Sequence, residues 1–346
     1  MPGLTRLTRA IAFPRPRRAE LHHDVRLPEM DEGGVLVCTE YSTISRGTEL
    51  DLYTGQMHGR GADAQWYPML PGYMPVGIVE AVGPQVRHVA VGDRVVGSNL
   101  FSGFDERYCP AWAGHTQQVI FSGRSHARLG GLRAVRVPLG IRPDHAGLGM
   151  LAGEAWHGVR EKVKPAAGDI VLVIGQGVVG IFAGQLCRAL GARVIVVDKH
   201  PERLAIARAN GVADTVVNDG RPVKDAVLQL TGGEAPHAVI ETTGEMEPVR
   251  QALDIVRDHG RVQVQGMYMD PVPPDLLRTL LSKSLSLTAT IAESPEYTAE
   301  ALDLMAAGKI TTEGMISEVA DPHDAGMVYD ELYRFPDRYL TCAFQW

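Results

Sequence analysis

Two patterns of hydrophobic and polar positions divide the chain near residue 145. Before it, short apolar runs such as Val35–Cys38, Ile78–Val82 and Gln118–Phe121 are separated by Gly, Pro and Asp residues. Short apolar runs bounded by these residue types are typical of β-strands joined by turns. We therefore expect a β-rich first part, and we expect its basic, proline-interrupted N-terminus to form a solvated hairpin.

After residue 145, apolar strands alternate with amphipathic helices. A helix is expected over residues 145–165, and the alternation continues as far as Ser286–Thr290. It predicts a parallel sheet with right-handed crossovers, that is, an α/β fold. A helix over Ala299–Ala307 and a β-like segment over Arg338–Phe344 are expected to follow. The predicted strands are Ile170–Ile174, Arg193–Val197, Thr215–Val217, Ala238–Glu241 and Arg261–Gln265, and the predicted helices are Val178–Leu190, Pro201–Asn210 and Pro248–Asp258.

The first βα turn of this part carries the sequence Gly175-Gln-Gly177-Val178-Val179-Gly180. A G-x-G-x-x-G motif between a buried strand and an apolar helix is typical of a dinucleotide site. Gly175 would permit the tight turn, Gly177 would let the backbone approach the pyrophosphate, and Gly180 would let helix and strand pack closely. The helix N-terminus would attract the pyrophosphate through its free N–H groups.

The next predicted strand leads into Asp198, 21 positions after Gly177. A carboxylate at this point binds the adenosine ribose hydroxyls and repels a 2′-phosphate, so we expect NAD(H) to be favoured. The adjacent Lys199 leaves NADP(H) possible, because its ammonium group can attract that phosphate. The alternative role for Asp198 is to cap the following helix.

Small residues follow two further strands at the same predicted edge of the sheet. Thr242, Thr243, Gly244 and Gly266 would let the nicotinamide half of the cofactor approach the backbone. For Thr243 and Gly244, an ordinary turn is the alternative interpretation.

Length and composition limit the class of protein. The 346 residues suggest two domains, and the formal net charge of −7 argues against a nucleic-acid or anionic-membrane partner. No apolar run is long enough to span a bilayer, and no signal-peptide core follows the basic N-terminus. The cysteines form no C-x-x-C pair, so we expect reduced thiols in a cytoplasmic protein. They are Cys38, Cys109, Cys187 and Cys342.

The stretch Gly55–Pro71 is long, polar and aromatic. Long loops in compact domains are often functional or mobile. We therefore expect either a substrate lid or a plain surface insertion here.

Several segments together resemble the medium-chain dehydrogenase/reductase superfamily. They begin at Glu32-Gly-Gly-Val, Leu70-Pro-Gly-Tyr, Val91-Gly-Asp-Arg and Gly168-Asp-Ile-Val. The resemblance implies a GroES-like catalytic domain formed by residues 1–145 and 292–346, with a Rossmann domain over residues 146–291. It also implies a small-molecule substrate, and a homodimer in which Rossmann domains pair edge to edge at Ser286–Thr290.

The chain departs from the superfamily where zinc members bind their catalytic metal. Arg46 occupies the position of a cysteine ligand, or Ser45 does if the alignment shifts by one residue. Tyr73 replaces the histidine, Met74 replaces the adjacent glutamate, and the later ligand position falls near Met150. These side chains do not supply the three N, S or O ligands of a catalytic zinc ion. The four-cysteine lobe is missing as well, so we expect no bound zinc.

Three candidate catalytic residues lie near these departures. In zinc members, a Ser or Thr at the position of Thr48 bonds the substrate oxygen; a cap or turn role is the alternative. Tyr73 can donate a hydrogen bond to a substrate oxygen, or it can fill the pocket. Arg46 can hold an anionic group or an enolate, or it can pair with Glu49.

Two candidates lie further along the chain. Glu154 can act as an acid or base if burial raises its pKa; the alternative is a first-turn glutamate that complements the helix dipole. His157 lies three residues later, on the same helical face, and a packed structural histidine is the alternative there. His115 is expected to be structural.

The motifs Ile44-Ser-Arg-Gly-Thr-Glu49 and Glu154-Ala-Trp-His157-Gly are similar to those of zinc-poor members that include bacteriochlorophyllide and cyclitol dehydrogenases. The first hypothesis is therefore hydride transfer between nicotinamide and a secondary alcohol or ketone of a bulky cyclic substrate. The second is reduction of an activated C=C bond, which includes a reductive cyclase of natural-product biosynthesis. The third is a non-catalytic dinucleotide-binding protein.

Overall fold

The structure is a computed structural model that describes residues 6–56, 67–98, 105–109, 112–122, 134–212, 214–268, 271–272, 274–291 and 294–346. It divides the chain into two compact units. The first unit is Met1–Met150, Ser294–Ala306 and Ile316–Trp346, and the second is Leu151–Glu293 and Ala307–Met315. Of the stretch considered above as a lid, residues 57–66 lie outside the described residues.

The described elements are numbered along the chain. The strands are β1 Leu7–Arg15, β2 Arg18–Arg26, β3 Val35–Thr43, β4 Met74–Val82, β5 Arg94–Val96, β6 Gln118–Phe121, β7 Val135–Arg136, β8 Ile170–Ile174, β9 Arg193–Asp198, β10 Asp214–Val217, β11 Ala238–Glu241, β12 Arg261–Val264, β13 Ser286–Ala289, β14 Ile316–Ala320 and β15 Thr341–Gln345. The α-helices are α1 Arg46–Thr54, α2 Pro143–Ala146, α3 Leu148–His157, α4 Val178–Ala189, α5 Pro201–Ala209, α6 Val223–Thr231, α7 Met246–Ile255, α8 Leu276–Lys283, α9 Pro295–Ala306 and α10 Ala325–Arg334.

The first unit is built on β-structure, which confirms the β-rich prediction. A seven-stranded sheet has the order β14-β15-β3-β4-β5-β7, and β6 pairs with β3 outside this path. Strand β3 pairs antiparallel with β4, β6 and β15. It carries α1 at its end, so the geometry of β3 fixes where the first turn of α1 begins.

The N-terminal segment does form a hairpin, β1 with β2, but the expectation that it is merely solvated is wrong. Ala10, Ile11, Ala12 and Phe13 are 0% exposed. Phe13 packs edge-on against Tyr329 with ring centroids 4.9 Å apart. The hairpin therefore contributes to the core of the first unit.

The second unit contains a six-stranded, wholly parallel sheet with the order β10-β9-β8-β11-β12-β13. This confirms the predicted Rossmann-type arrangement. The order reverses between β8 and β11, and such switch points at the carboxyl ends of strands are where these folds bind ligands. All five residues of β8 are buried, as expected for a strand covered on both faces.

The single helix expected over residues 145–165 is wrong in detail. Helix α2 ends at Ala146, and a Cβ at the next residue, Gly147, would lie 2.3 Å from Thr43 Oγ1. Helix α3 ends at His157, and a π-helical segment, Gly158–Val163, follows. A Cβ at Gly158 would lie 2.6 Å from Gln265 Nε2, so this segment packs closely on the end of β12.

Two described segments group differently from the predicted domain boundaries. Residues 146–150 belong to the first unit. Residues 307–315 belong to the second unit. Their backbone is bound by two buried amides of that unit: Gln185 Oε1 accepts from Thr311 N at 2.7 Å, and Asn210 Nδ2 donates to Glu313 O at 2.8 Å.

Candidate dinucleotide site and candidate catalytic residues

The three glycines of the first βα turn each meet a different steric demand. Gly175 has φ of 91°, a left-handed conformation that favours glycine. A Cβ at Gly180 would lie 1.9 Å from Gly175 O, whereas a Cβ at Gly177 would meet no atom of the described residues within 4 Å apart from its chain neighbours. Gly177 is the N-cap residue of α4. Open space therefore adjoins the helix N-terminus, beside Val178 and Val179, and fits an approaching pyrophosphate.

Asp198 ends β9 and is held by two backbone amides. Its Oδ2 accepts from Gln176 N at 2.6 Å, and its Oδ1 accepts from His200 N at 2.8 Å. A guanidinium nitrogen of Arg203 lies 4.0 Å from Oδ2. The helix-cap alternative is wrong, because His200 is the N-cap residue of α5. Each carboxylate oxygen retains acceptor capacity for a ribose hydroxyl.

The side chain of Lys199 forms an ion pair with Glu245. Its ammonium lies 3.2 Å from Glu245 Oε1, and both side chains are 61% exposed. Pairs this exposed contribute little, so this ion pair does not hold the ammonium firmly.

The small residues predicted at the carboxyl edge of the sheet do meet there. Thr242 Oγ1 donates to Gly175 O at 3.0 Å. A Cβ at Gly266 would lie 2.3 Å from Gly244 N, so the loops after β11 and β12 touch backbone to backbone. Thr243 Oγ1 accepts from the backbone N–H of residue 245 at 3.0 Å, which is the turn bond of the alternative interpretation.

Two further residues at this edge were not singled out by sequence reasoning. Glu241 ends β11 and is 0% exposed, and its carboxylate accepts from the hydroxyl of Tyr268. Burial raises the pKa of Glu241 and that of Tyr268. A carboxylate at the end of a buried strand is the signal that could have identified Glu241, because buried charges need dedicated partners.

In the first unit, Tyr73 and Ser45 form a hydroxyl pair. The Tyr73 hydroxyl donates to Ser45 Oγ, and its ring lies 5.3 Å from that of Trp112 at an angle of 50°. Arg46 instead donates from Nη2 to Leu332 O at 3.2 Å. Of the two candidates for the lost ligand position, Ser45 is hydrogen-bonded to Tyr73.

Glu49 does not pair with Arg46, contrary to one interpretation above. The indole N–H of Trp346 can only donate, and it lies 2.8 Å from Ser42 Oγ. The Ser42 hydroxyl can then donate to His115 Nδ1, also at 2.8 Å. This leaves His115 Nε2 to donate to Glu49 Oε2 at 2.8 Å. Glu49 is therefore bonded to His115 and not to Arg46.

Two more donors complete the environment of Glu49. Tyr329 Oη donates to Oε2 at 2.5 Å, and the backbone N–H of Ser45 donates to Oε1 at 2.7 Å. Burial raises the pKa of Tyr329 well above its usual range, so it remains a donor. Ser45 is the N-cap residue of α1, yet its side chain makes no cap bond. Its hydroxyl is thus used to bind Tyr73. Thr48 is half-buried in the first turn of α1, inside the helix and not at its cap.

The residues at this position do not fit a catalytic zinc ion. Ser45 and Tyr73 offer hydroxyls bonded to each other, and Glu49 already receives three donors. Met74 and Met150 are 0% and 1% exposed in the core. In the part of the chain that the structure describes, no three His, Cys, Asp or Glu side chains are grouped to hold a metal ion.

Glu154 and His157 lie on α3 of the second unit. Glu154 is the seventh residue of this helix, so the first-turn dipole role is wrong. Its carbonyl accepts from Gln265 Nε2 at 2.8 Å. Burial, with the charge of Lys162 second, lowers the pKa of His157. His157 is therefore neutral near pH 7, which is consistent with a packed histidine.

Comparison with known proteins gives the same two-part division. A family model described as "Alcohol dehydrogenase GroES-like domain" matches residues 31–138, and one described as "Zinc-binding dehydrogenase" matches residues 178–307. An L-threonine 3-dehydrogenase of Anaeromyxobacter dehalogenans is 30% identical over 74% of this chain and 75% of that protein. An alcohol dehydrogenase of Geobacillus stearothermophilus is 26% identical over 90% of this chain and 92% of that protein.

A solved structure extends the match to almost the whole chain. The alcohol dehydrogenase TADH from Thermus sp. ATN1 superposes with a TM-score of 0.82 at 25% identity, covering 97% of this chain and 99% of that one. Among the described residues, no helix has both the length and the apolar character that a membrane span requires.

Proposed function

This chain belongs to the zinc-type alcohol dehydrogenase (medium-chain dehydrogenase/reductase) superfamily, and from that premise we propose that it transfers a hydride to and from a cyclic secondary alcohol or ketone without a catalytic zinc ion. It is an NAD(P)-dependent oxidoreductase, and the nicotinamide supplies or accepts the hydride when bound.

The contact between Tyr73 and Ser45 carries this proposal. Without a metal, a protein group must give the substrate oxygen a proton as the hydride reaches the carbonyl carbon. The Tyr73 hydroxyl has that proton, and Ser45 holds the hydroxyl in place. In the reductive direction, Tyr73 protonates the oxygen and Ser45 Oγ–H then stabilises the phenolate. Thr48, half-buried in the first turn of α1, is a second donor for the same oxygen.

The aromatic pair Tyr73–Trp112 supports a cyclic substrate. Both rings are partly buried, and their tilted packing offers an apolar wall beside a polar hydroxyl pair. Binding sites commonly combine an aromatic lining with few, well-placed polar groups. A ring can rest on such a wall while one oxygen reaches Tyr73.

Reduction of an activated C=C bond is the competing proposal, and the same hydroxyl pair favours it. A tyrosine hydroxyl can stabilise an enolate oxygen, because conjugation moves the charge from the reacting carbon to that oxygen. The two reactions differ in which carbon receives the hydride, not in the protein groups used.

Cyclohex-2-en-1-one distinguishes the two, because it offers both reactions in one ring. The enzyme would be supplied with NADH deuterated at the transferred position of C4, and the product analysed by NMR. Deuterium on the carbinol carbon of cyclohexenol supports ketone reduction. Deuterium on the carbon beta to the carbonyl of cyclohexanone supports C=C reduction. Equal activity of Tyr73→Phe and the unchanged enzyme would contradict the proposed role of Tyr73 in either reaction.

We further propose that NAD(H) is preferred over NADP(H). Asp198 is held at the end of β9 by two amides, so its charge cannot easily move away from a 2′-phosphate. Fluorescence titration with NADH and NADPH measures the preference, and we expect NADH to bind at least about tenfold more tightly. Equal affinities would mean that Lys199 or Arg203 offsets the carboxylate.

A further inference from the structure

A buried glutamate and a tyrosine join the ends of two neighbouring strands in the parallel sheet. Glu241 is the last residue of β11, and Tyr268 lies four residues after the end of β12. The Tyr268 hydroxyl donates to Glu241 Oε2. The hydroxyl also accepts from Gly266 N at 3.3 Å. Tyr268 therefore bonds both the loop after β12 and the last residue of β11.

The other oxygen of Glu241 fixes the loop after β11. Oε1 accepts from Thr243 N at 2.7 Å and also from the Thr243 hydroxyl. The Thr243 hydroxyl is free to donate in this direction because it accepts from Glu245 N at 3.0 Å. Three donors thus converge on one carboxylate that is 0% exposed, and a carboxylate with this many donors is strongly oriented.

The loops after β11 and β12 are closely packed against each other at this point. A Cβ at Gly244 would lie 2.8 Å from Met267 O, and a Cβ at Gly266 would lie 2.3 Å from Gly244 N and 3.1 Å from Tyr268 Cζ. Any shift of one loop must therefore move the other. Glu241 and Tyr268 set the distance at which the loops meet.

The order of the strands says which half of a dinucleotide lies over these loops. In this fold the ligand crosses the switch point, with one mononucleotide on each side. Asp198, the ribose-binding candidate, lies on β9, to one side of β8. Glu241 ends β11 and Tyr268 follows β12, and both strands lie on the other side. The adenosine half is assigned to the first side, so the nicotinamide half is assigned to the second.

We propose that Glu241 and Tyr268 are positioning residues for the nicotinamide half of the dinucleotide, acting through Thr243 and Gly266. Neither residue is required to touch the reacting atoms. This inference rests on the dinucleotide-binding part of the proposed function and is independent of the proton transfer assigned to Tyr73.

Binding of two ligands tests the proposal without any substrate. ADP-ribose contains the adenosine and pyrophosphate but lacks nicotinamide, so it reports on the β9 side alone. We expect Tyr268→Phe to raise the Kd of NADH by about tenfold, as for a lost hydrogen bond to a charged group, and to leave the Kd of ADP-ribose unchanged. Calorimetry or fluorescence competition gives both constants.

The ratio of the two dissociation constants is the decisive quantity. If Tyr268→Phe folds incompletely, both ligands lose the same fraction of competent protein. Incomplete folding by itself therefore does not change the ratio of the two dissociation constants. Glu241→Gln should change the ratio in the same direction. The double variant should change the ratio no more than the single variant with the larger effect, because both substitutions disrupt the same bond between Tyr268 and Glu241.

Tyr329→Phe is the matched control, because it also removes a bond from a tyrosine hydroxyl to a buried glutamate, but in the first unit. It should leave the ratio unchanged. A ratio unaltered by Tyr268→Phe, or altered as much by Tyr329→Phe, would overturn the proposal. An unchanged protein that binds ADP-ribose but neither NADH nor NADPH would instead contradict the proposed function itself.

Discussion

At the scale of single residues, the hydroxyl of Ser45 is redirected by its neighbours. A serine at a helix N-cap ordinarily bonds the free N–H groups of the first turn. Here Glu49 reaches back to the backbone N–H of Ser45, and the Ser45 hydroxyl makes no cap bond. That hydroxyl accepts from Tyr73 instead. A residue that usually stabilises a helix end thus becomes part of a candidate catalytic pair.

Removing the Tyr73 hydroxyl should impair chemistry and spare cofactor binding. We expect Tyr73→Phe to lower kcat by roughly a hundredfold, the usual contribution of a positioned acid or base. The Kd of NADH should stay unchanged, because the dinucleotide candidates lie in the other unit. Steady-state kinetics and fluorescence titration measure the two effects. Tyr333→Phe, which removes a hydroxyl bonded to Arg17 at the surface, is the control and should have no effect on kcat.

The lowered pKa of His157 predicts that the protein loses stability at acid pH. Its folded-state pKa lies below the ordinary value of 6.5 because of burial, so the unfolded chain takes up the proton first as pH falls. The contribution to stability is present above 6.5 and is lost below it. Between about pH 7.5 and about pH 5, the unfolding free energy should fall more for the unchanged protein than for His157→Asn. Parallel curves from urea titrations would contradict the lowered pKa.

At the scale of elements, helix α4 combines two kinds of glycine. Gly180 faces the carbonyl of Gly175 at a distance that excludes any side chain, whereas Gly177 faces open space. Gly180 allows the helix to pack closely, and Gly177 leaves room for a ligand. One motif therefore carries a stability function and a binding function that mutations can separate.

Alanine substitutions along α4 should give three different outcomes. Gly180→Ala should destabilise the second unit by more than about 2 kcal/mol through overpacking. Gly177→Ala should fold normally but bind NADH more weakly, because its methyl group fills the open space at the N-terminus of α4 where the pyrophosphate is expected. Gly184→Ala, whose Cβ would meet side chains only at 3.4 Å or more, is the control and should be neutral or stabilising. Thermal unfolding with and without NADH measures all three. Equal NADH affinity in Gly177→Ala would place the pyrophosphate elsewhere.

At the scale of the whole molecule, one edge of the parallel sheet is poorly covered. Strand β13 ends the sheet, and an unpaired strand edge attracts another chain unless it is protected. The neighbouring helix α8 has no buried residue, and Leu277 and Leu281 are 69% and 81% exposed. Apolar exposure of this kind beside a free edge favours an interface.

We propose that two copies of the chain pair through β13 and α8. Leu281→Glu should shift the molecular mass in sedimentation from dimer to monomer at micromolar concentration, because a charge would be buried at the interface. Leu139→Glu is the control, since Leu139 is 97% exposed in the first unit. A monomeric mass for the unchanged protein would remove this proposal.

Local pattern was sufficient where a structure depends on neighbours in sequence. The alternation of strands and helices predicted the parallel sheet, and the spacing of Gly175, Gly177 and Gly180 predicted the turn, since each glycine acts within its own βα unit. Asp198 followed from the same spacing. The pattern did not indicate α1, α6, α8 or α10. In α1, only Glu49, Leu52 and Tyr53 of its nine residues are buried, which leaves a weak periodic signal.

Partners distant in sequence were decided only by the tertiary structure. His115 lies 66 residues from Glu49, and Tyr329 lies 280 residues from it, so no spacing rule could join them. The bond from Tyr73 to Ser45 depends on how β3 leads into α1. The bond from Tyr268 to Glu241 depends on which strands are neighbours in the sheet. Periodicity fixes which face of an element is buried, but hydrogen-bond partners are fixed by where separate elements meet.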